Sequence, residues 1–152
     1  SGGSAWRYTG ALQPSASGGN VNRSIIGGTF RNYGGVPHDH IADVQSDGTA
    51  NASYGIGQGG GAIQSIAIYT NTARPDLLGK LVIGGAFNYH NGVALPQIAR
   101  INVDGTVDLG FNTGLGPNAP VTSVAVQGDG RVIAGGYFNS VNGVPRSSIA
   151  RC

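Results

Sequence analysis

The stretch SVAVQGDGRVIAGGYF, Ser123 to Phe138, decides the fold. Val124 and Val126 alternate with small or polar residues, as a half-buried strand requires. The following QGDGR supplies a tight turn through its Asp-Gly pair, and a second apolar run ends in Gly135-Gly136-Tyr137-Phe138. The same ending occurs twice more, as IIGGTF at Ile25 to Phe30 and VIGGAF at Val82 to Phe87. Phe30 and Phe87 are 57 residues apart, and Phe87 and Phe138 are 51 apart. An internal repeat of this length organises the chain.

Two further anchors keep the register downstream of each Phe: Gly35-Val36, Gly92-Val93 and Gly143-Val144, then Ile41-Ala42, Ile98-Ala99 and Ile149-Ala150. Upstream, SIAI at Ser65 to Ile68 matches SVAV at Ser123 to Val126. The uneven spacing falls in one hairpin loop, where YTNTARPDLLGK replaces QGDGR; a loop tip tolerates insertion well. In the first repeat Trp6-Arg7-Tyr8 stands where the others have IAI or VAV, which puts Trp6 and Tyr8 in the core. The units run over residues 5–61, 62–119 and 120–152, the last incomplete, and Ser1-Gly2-Gly3-Ser4 reads as a linker.

Each unit is predicted to hold four short strands: the alternating strand, the strand ending in Gly-Gly-x-Phe, a third beginning Ile-Ala, and a short segment near Tyr54 or Phe111 after an Asp-Gly turn. The recurring pairs Gly27-Gly28, Gly84-Gly85 and Gly135-Gly136 sit inside a strand, where glycine is disfavoured unless a neighbouring backbone approaches closely or the strand bulges. The expected class is all-β, with units closed by oligomerisation or as a pseudo-threefold domain, because an open array of three leaves sheet edges unpaired.

Composition narrows the function. Hydrophobic residues make up 39% of 152, enough for a core, whereas charged residues reach only 11%. Such a balance favours an extracellular, cell-surface or particle-surface β protein. The chain has seven Asp, no Glu and no Met, and is poor in strong helix formers. Its nine basic residues are scattered singly, which argues against nucleic acid, and no apolar run of membrane-spanning length occurs, so no membrane insertion is expected. The single cysteine, Cys152, forms no intrachain disulfide and is expected buried as a small strand residue. Nucleophile elbows, phosphate loops and dinucleotide fingerprints are absent, since the glycine pairs end strands rather than open helices; neither catalysis nor a cofactor is expected.

The run SVAVQGDGRVIAGGYFNSVNGVPRSSIAR, with INVDGTVDLGFNTG before it, resembles the delta-60 repeat family, a β-propeller-like repeat. The resemblance covers about two and a half units and nearly the whole chain. It implies four-stranded blades of the kind found in large bacterial surface proteins and phage-like fibres, and brings no catalytic residues. The first unit departs from the pattern, with Asp43 where the others have Arg100 and Arg151, and VPHDH in place of a plain polar loop.

The most unusual chemistry lies in that departure. On a strand, His38 and His40 would share a face and present two nitrogens, with His90 a possible third; contact with a polar ligand is the preferred reading over a metal site, and no metal is expected. The loops vary while their frame stays constant: Arg31, Asn32 and Tyr33 correspond to Asn88, Tyr89 and His90, and to Asn139, Ser140 and Val141. Aromatic rings beside amides suit sugars. Asp47, Asp104 and Asp129 precede glycine as turn residues rather than calcium ligands. The expected function is therefore a non-catalytic adhesin or receptor-binding module, recognising a glycan or other cell-envelope ligand through Tyr33, His38, His40, Tyr89 and His90. It would form a homo-oligomer, with a trimer favoured. The alternative is a structural or oligomerising segment that caps or spaces a fibre.

Overall fold

The computed structural model describes residues 8–13, 23–38, 40–52, 54, 60–90 and 92–152. The predicted linker at 1–4 and the core placement of Trp6 lie outside these residues.

Each unit contributes five strands in the same order. The first has β1 (Tyr8–Gln13), β2 (Arg23–Gly28), β3 (Asn32–Tyr33), β4 (Val36–Pro37) and β5 (Ile41–Val44). The second has β6 (Ile63–Ile68), β7 (Leu81–Gly85), β8 (Tyr89–His90), β9 (Val93–Ala94) and β10 (Ile98–Ile101). The third has β11 (Val121–Val126), β12 (Val132–Gly136), β13 (Ser140–Val141), β14 (Val144–Pro145) and β15 (Ile149–Arg151). The long strands form three antiparallel sheets, β1-β2-β5, β6-β7-β10 and β11-β12-β15, each with the Gly-Gly strand in the centre. The short strands form a separate two-stranded ribbon in each unit. All elements among the described residues are β, and no sheet among them closes on itself.

Three strands per sheet replace the predicted four. After the Asp-Gly turns, Ala50 and Val107 each make one bridge, to Val44 and Ile101, and the chain then turns away. Tyr54 instead serves as a core anchor, fully buried, while Phe111 packs against the core beneath the Arg100 guanidinium.

The first sheet packs on the second and the second on the third through two apolar layers. One joins Ile25 and Ile41 to Ile63, Ile66, Leu81, Ile83 and Ala99; the other joins Val82 and Ile98 to Val121, Val124, Val132, Ala134 and Ala150. Strand alternation sends Val82 to one layer and Ile83 to the other. Covered on both faces, β7 is buried along its whole length. Each Ile or Val so enclosed contributes about 2 kcal/mol of transfer free energy.

The two glycines of each pair do different jobs. A Cβ on Gly84 would stand 2.6 Å from Val121 Cγ1 and 2.9 Å from Val124 Cγ1, and one on Gly27 would stand 2.7 Å from Ile63 Cγ2 and 2.9 Å from Ile66 Cδ1. The first glycine therefore seats the opening strand of the next unit. The second faces main chain: a Cβ on Gly85 or Gly136 would collide with the carbonyl of Ala62 or Pro120 in its own unit. Shifts of register between Ile63 and Ser65, and between Val121 and Ser123, bring residues three apart to the same face.

The first strand corrects the register expected for the first unit. Gly10 pairs with Ile26 as Ile66 does with Ile83, and Leu12 pairs with Ser24 as Ile68 does with Leu81. Gly10 and Leu12 hold the positions of Ile66 and Ile68, and Tyr8, expected at the second of these, pairs with Gly28 instead. Cys152 is a second correction: it exchanges both main-chain hydrogen bonds with Val132, yet its thiol is exposed at the sheet edge.

Candidate functional site

The ribbons sit at the same place in every unit, between the central strand and the third strand of each sheet. Their tips are tight turns of left-handed residues, Gly34-Gly35 in the first unit and Asn142-Gly143 in the third, with Gly92 equivalent in the second. That geometry matches the twist of a two-residue hairpin loop. Successive residues of so short a strand point to opposite sides. Accordingly Tyr89 is 39% exposed, whereas His90 beside it is 2% exposed.

This alternation divides the five residues expected to bind ligand. Tyr89 faces outward, as does Asn32 at the equivalent place. A Cβ on Gly60 would lie 2.7 Å from the Tyr89 ring, and the Gly60 amide donates to the Tyr89 carbonyl at 3.0 Å, so the ring lies against the segment entering β6. Tyr33 takes the inward position of His90 and is half-buried, its ring centroid 6.5 Å from that of Phe30. Exposed Arg31, Asn88, Tyr137 and Asn139 border the ribbons. In the third unit the Asn118 side chain accepts the amides of Asn139 and Ser140 and donates to Asn139 Oδ1 at 2.8 Å, which holds the ribbon base in place.

His38 and His40 do not share a strand face. They lie in the bend between β4 and β5, and both are buried. The His38 amide donates to the Arg31 carbonyl just as Leu95 does to Asn88, so His38 holds the place of a leucine that packs, partly buried, against the core; its Nδ1 lies 3.1 Å from the Tyr54 carbonyl. His40 has φ 70°, and Gln97 and Ser148 at the equivalent places have 64° and 62°. Each donates its amide to the preceding Phe carbonyl and accepts the amide of the second glycine, a double clamp that ties the bend to the central strand. Among the described residues, no three His, Cys, Asp or Glu side chains gather as a metal site would need.

Polar chemistry concentrates instead around the third strands and at the boundary between the second and third units. Asp108 accepts from Lys80 Nζ at 2.7 Å and Arg100 Nε at 2.8 Å, while the Gly110 amide donates to its other oxygen. Burial alone would raise the Asp108 carboxyl, but these hydrogen bonds outweigh it and hold the pKa at about 2. In the first unit Asp43 replaces the arginine and Asn51 the aspartate, with Asn51 Nδ2 donating to Asp43 at 3.1 Å. The long insertion in the second unit reaches across to the third. Tyr69 Oη, Asn71 Nδ2 and Arg74 Nη1 donate to the consecutive carbonyls of Gly130, Gly128 and Asp129. Its sequence marked only an insertion at a hairpin tip; three long donors facing a glycine-rich turn were the available signal.

Three-stranded sheets stacked face to face around paired glycines define an all-β repeat protein. In agreement, residues 79–111 and 127–151 match the model of a domain of unknown function, DUF5122, described as a β-propeller. The matched segments span the central strand, ribbon and third strand of the second and third units. No curated protein and no solved structure matches the chain significantly.

Proposed function

We propose that the chain is a non-catalytic adhesive module displayed at an extracellular or particle surface, which holds a glycan or other envelope component along its ribbon edge. The carrying observation is Tyr89, an aromatic ring held against Gly60 yet open to solvent, with an exposed amide at Asn88 next to it and another at Asn32, the equivalent place in the first unit. A pre-positioned ring covers the C–H face of a sugar while amides and the Arg31 guanidinium take hydroxyls, with little ordering cost on binding. Tyr33 completes the edge from its half-buried position. His38 and His40 act behind it in the bend that follows the first ribbon, and His90 is the inward residue of the second ribbon. The units are delta-60-type blades, and copies of the chain associate, with a trimer favoured.

A glycan array on the purified chain, with its mass followed by light scattering, tests this reading. A defined glycan signal that falls at least tenfold in Tyr89→Ala supports it. A signal untouched by Tyr89→Ala and Asn88→Ala, or no signal at all, overturns it. The alternative, a segment that spaces or caps a fibre, draws support from the apolar face of the third unit, where Ile133 and Ile149 are exposed.

A further inference from the structure

Equivalent positions of the three sheets can be compared row by row. In the second unit, Ser65, Gly84 and Ile98 form one cross-strand row and Ala67, Val82 and Arg100 the next. In the third unit, Ser123, Gly135 and Ile149 form the corresponding row, followed by Ala125, Ile133 and Arg151. The two faces match residue for residue except for Val82 against Ile133. Their surroundings differ completely. On the second unit the face is covered by β11: Val121 and Val124 press on Gly84, the Val124 amide donates to Ser65 Oγ at 3.1 Å, and Val82 and Ile98 are fully buried. On the third unit Ile133 is 37% and Ile149 67% exposed, and a Cβ on Gly135 would meet nothing closer than the Ser148 carbonyl at 3.6 Å.

We infer that the Ser123-Gly135-Ile149 face of the third unit is a docking surface for one further repeat unit of this class. The occupant is the opening strand of such a unit, carrying β-branched residues three apart about a bulge. Both internal boundaries specify it: Ile63 and Ile66 sit on Gly27, Val121 and Val124 sit on Gly84, and Gly135 offers the same glycine-floored seat with the same serine acceptor. A second copy of the chain is a poorer match. Its β6 and β11 are already seated, and its β1 has Gly10 where Ile66 and Val124 stand. Isoleucine at 133 and 149 supplies apolar surface of the kind that a covering sheet removes from water.

The test appends residues 102–152 after Cys152 of the full chain, so that a duplicate of β11 follows the third sheet through the natural connection. Docking raises Tm by about 5 °C and protects the amides of Gly135 and Ile149 from hydrogen exchange. Gly135→Ala leaves the parent chain within a degree of its own Tm, because the space there is open, but removes the rise and the protection in the extended chain. A Gly84→Ala parent, destabilised at an occupied seat, serves as the reference. An extended chain without the gain, or a gain indifferent to Gly135→Ala, overturns the inference. Concentration-dependent dimers of the parent that vanish in Gly135→Ala would overturn it too, by naming a second copy as occupant.

Discussion

Arg74 Nη1 donates to the main-chain carbonyl of Asp129 at 2.7 Å, across the boundary between the second and third units. The same guanidinium is paired with Asp76 through Nε and Nη2, so it is already aimed when it meets the turn.

Removing the guanidinium separates these two roles. Arg74→Ala deletes a charge-assisted hydrogen bond to a carbonyl of the neighbouring unit and lowers the urea midpoint clearly. Asp76→Asn breaks only an ion pair exposed to solvent and shifts the midpoint far less. Urea unfolding of the two variants measures the contrast; equal losses would show that Arg74 does not clasp the turn.

The glycines of each pair and those of the ribbon tips respond differently to a methyl group. Gly136→Ala drives a Cβ into the Pro120 carbonyl, where only main-chain movement relieves the clash, and costs about 3 kcal/mol or more. Gly143→Ala meets open space and suffers only from its φ of 73°, a loss of about 1 kcal/mol. Thermal melts of the pair, with circular dichroism, distinguish the two; similar melts would contradict the close approach at Gly136.

Asp108 gives stability a pH dependence whose sign follows from its depressed pKa. The folded chain holds this carboxylate ionised down to about 2, whereas the unfolded chain protonates it near 3.8. Its contribution is therefore fully present above the unfolded value and is lost as pH falls from about 4 toward 2, for a total of about 2 kcal/mol. Urea midpoints measured from pH 6 to pH 2 should show a drop in the parent that is shallower in Asp108→Asn. Parallel curves would mean that the carboxylate does not hold Lys80 and Arg100 in solution.

The left-handed residue before each third strand offers a route to higher stability. Ser148 has φ 62° and an exposed position, so Ser148→Gly relieves strain and raises stability by about 0.5–1 kcal/mol. Ser148→Val, β-branched in the same conformation, lowers it by at least as much. A Tm order other than glycine above serine above valine would place this residue in an ordinary conformation.

Much of this architecture is legible in the sequence because glycine pairs and β-branched residues recur with constant spacing. The Gly-Gly-x-Phe strands, the Ile-Ala strands and the Asp-Gly turns fall where periodicity places them. Periodicity fails where one residue departs from it. Gly10 carries no apolar signal, so a search for hydrophobic alternation slides to Trp6 and Tyr8 and misplaces the first strand by four residues. The ribbons were marked by Asn91-Gly92 and Asn142-Gly143, a strong hairpin signal read as plain loops because only two residues flank each turn. His38 and His40 looked solvent-facing because imidazoles are polar. Their burial depends on the bend that the clamp to Phe30 and Gly28 imposes, a long-range main-chain arrangement without a side-chain signature.

The stacking of sheets, with each unit leaning on its neighbours, also sets how the molecule comes apart. Free energy in such an array divides into a part within each sheet and a part shared between adjacent ones, as in a one-dimensional chain of coupled spins. The middle sheet draws on two shared terms, and the first and the third draw on one each. Opening therefore starts at an outer sheet and spreads inward, and the assembled pair that includes the middle sheet outlives it as a partially unfolded species.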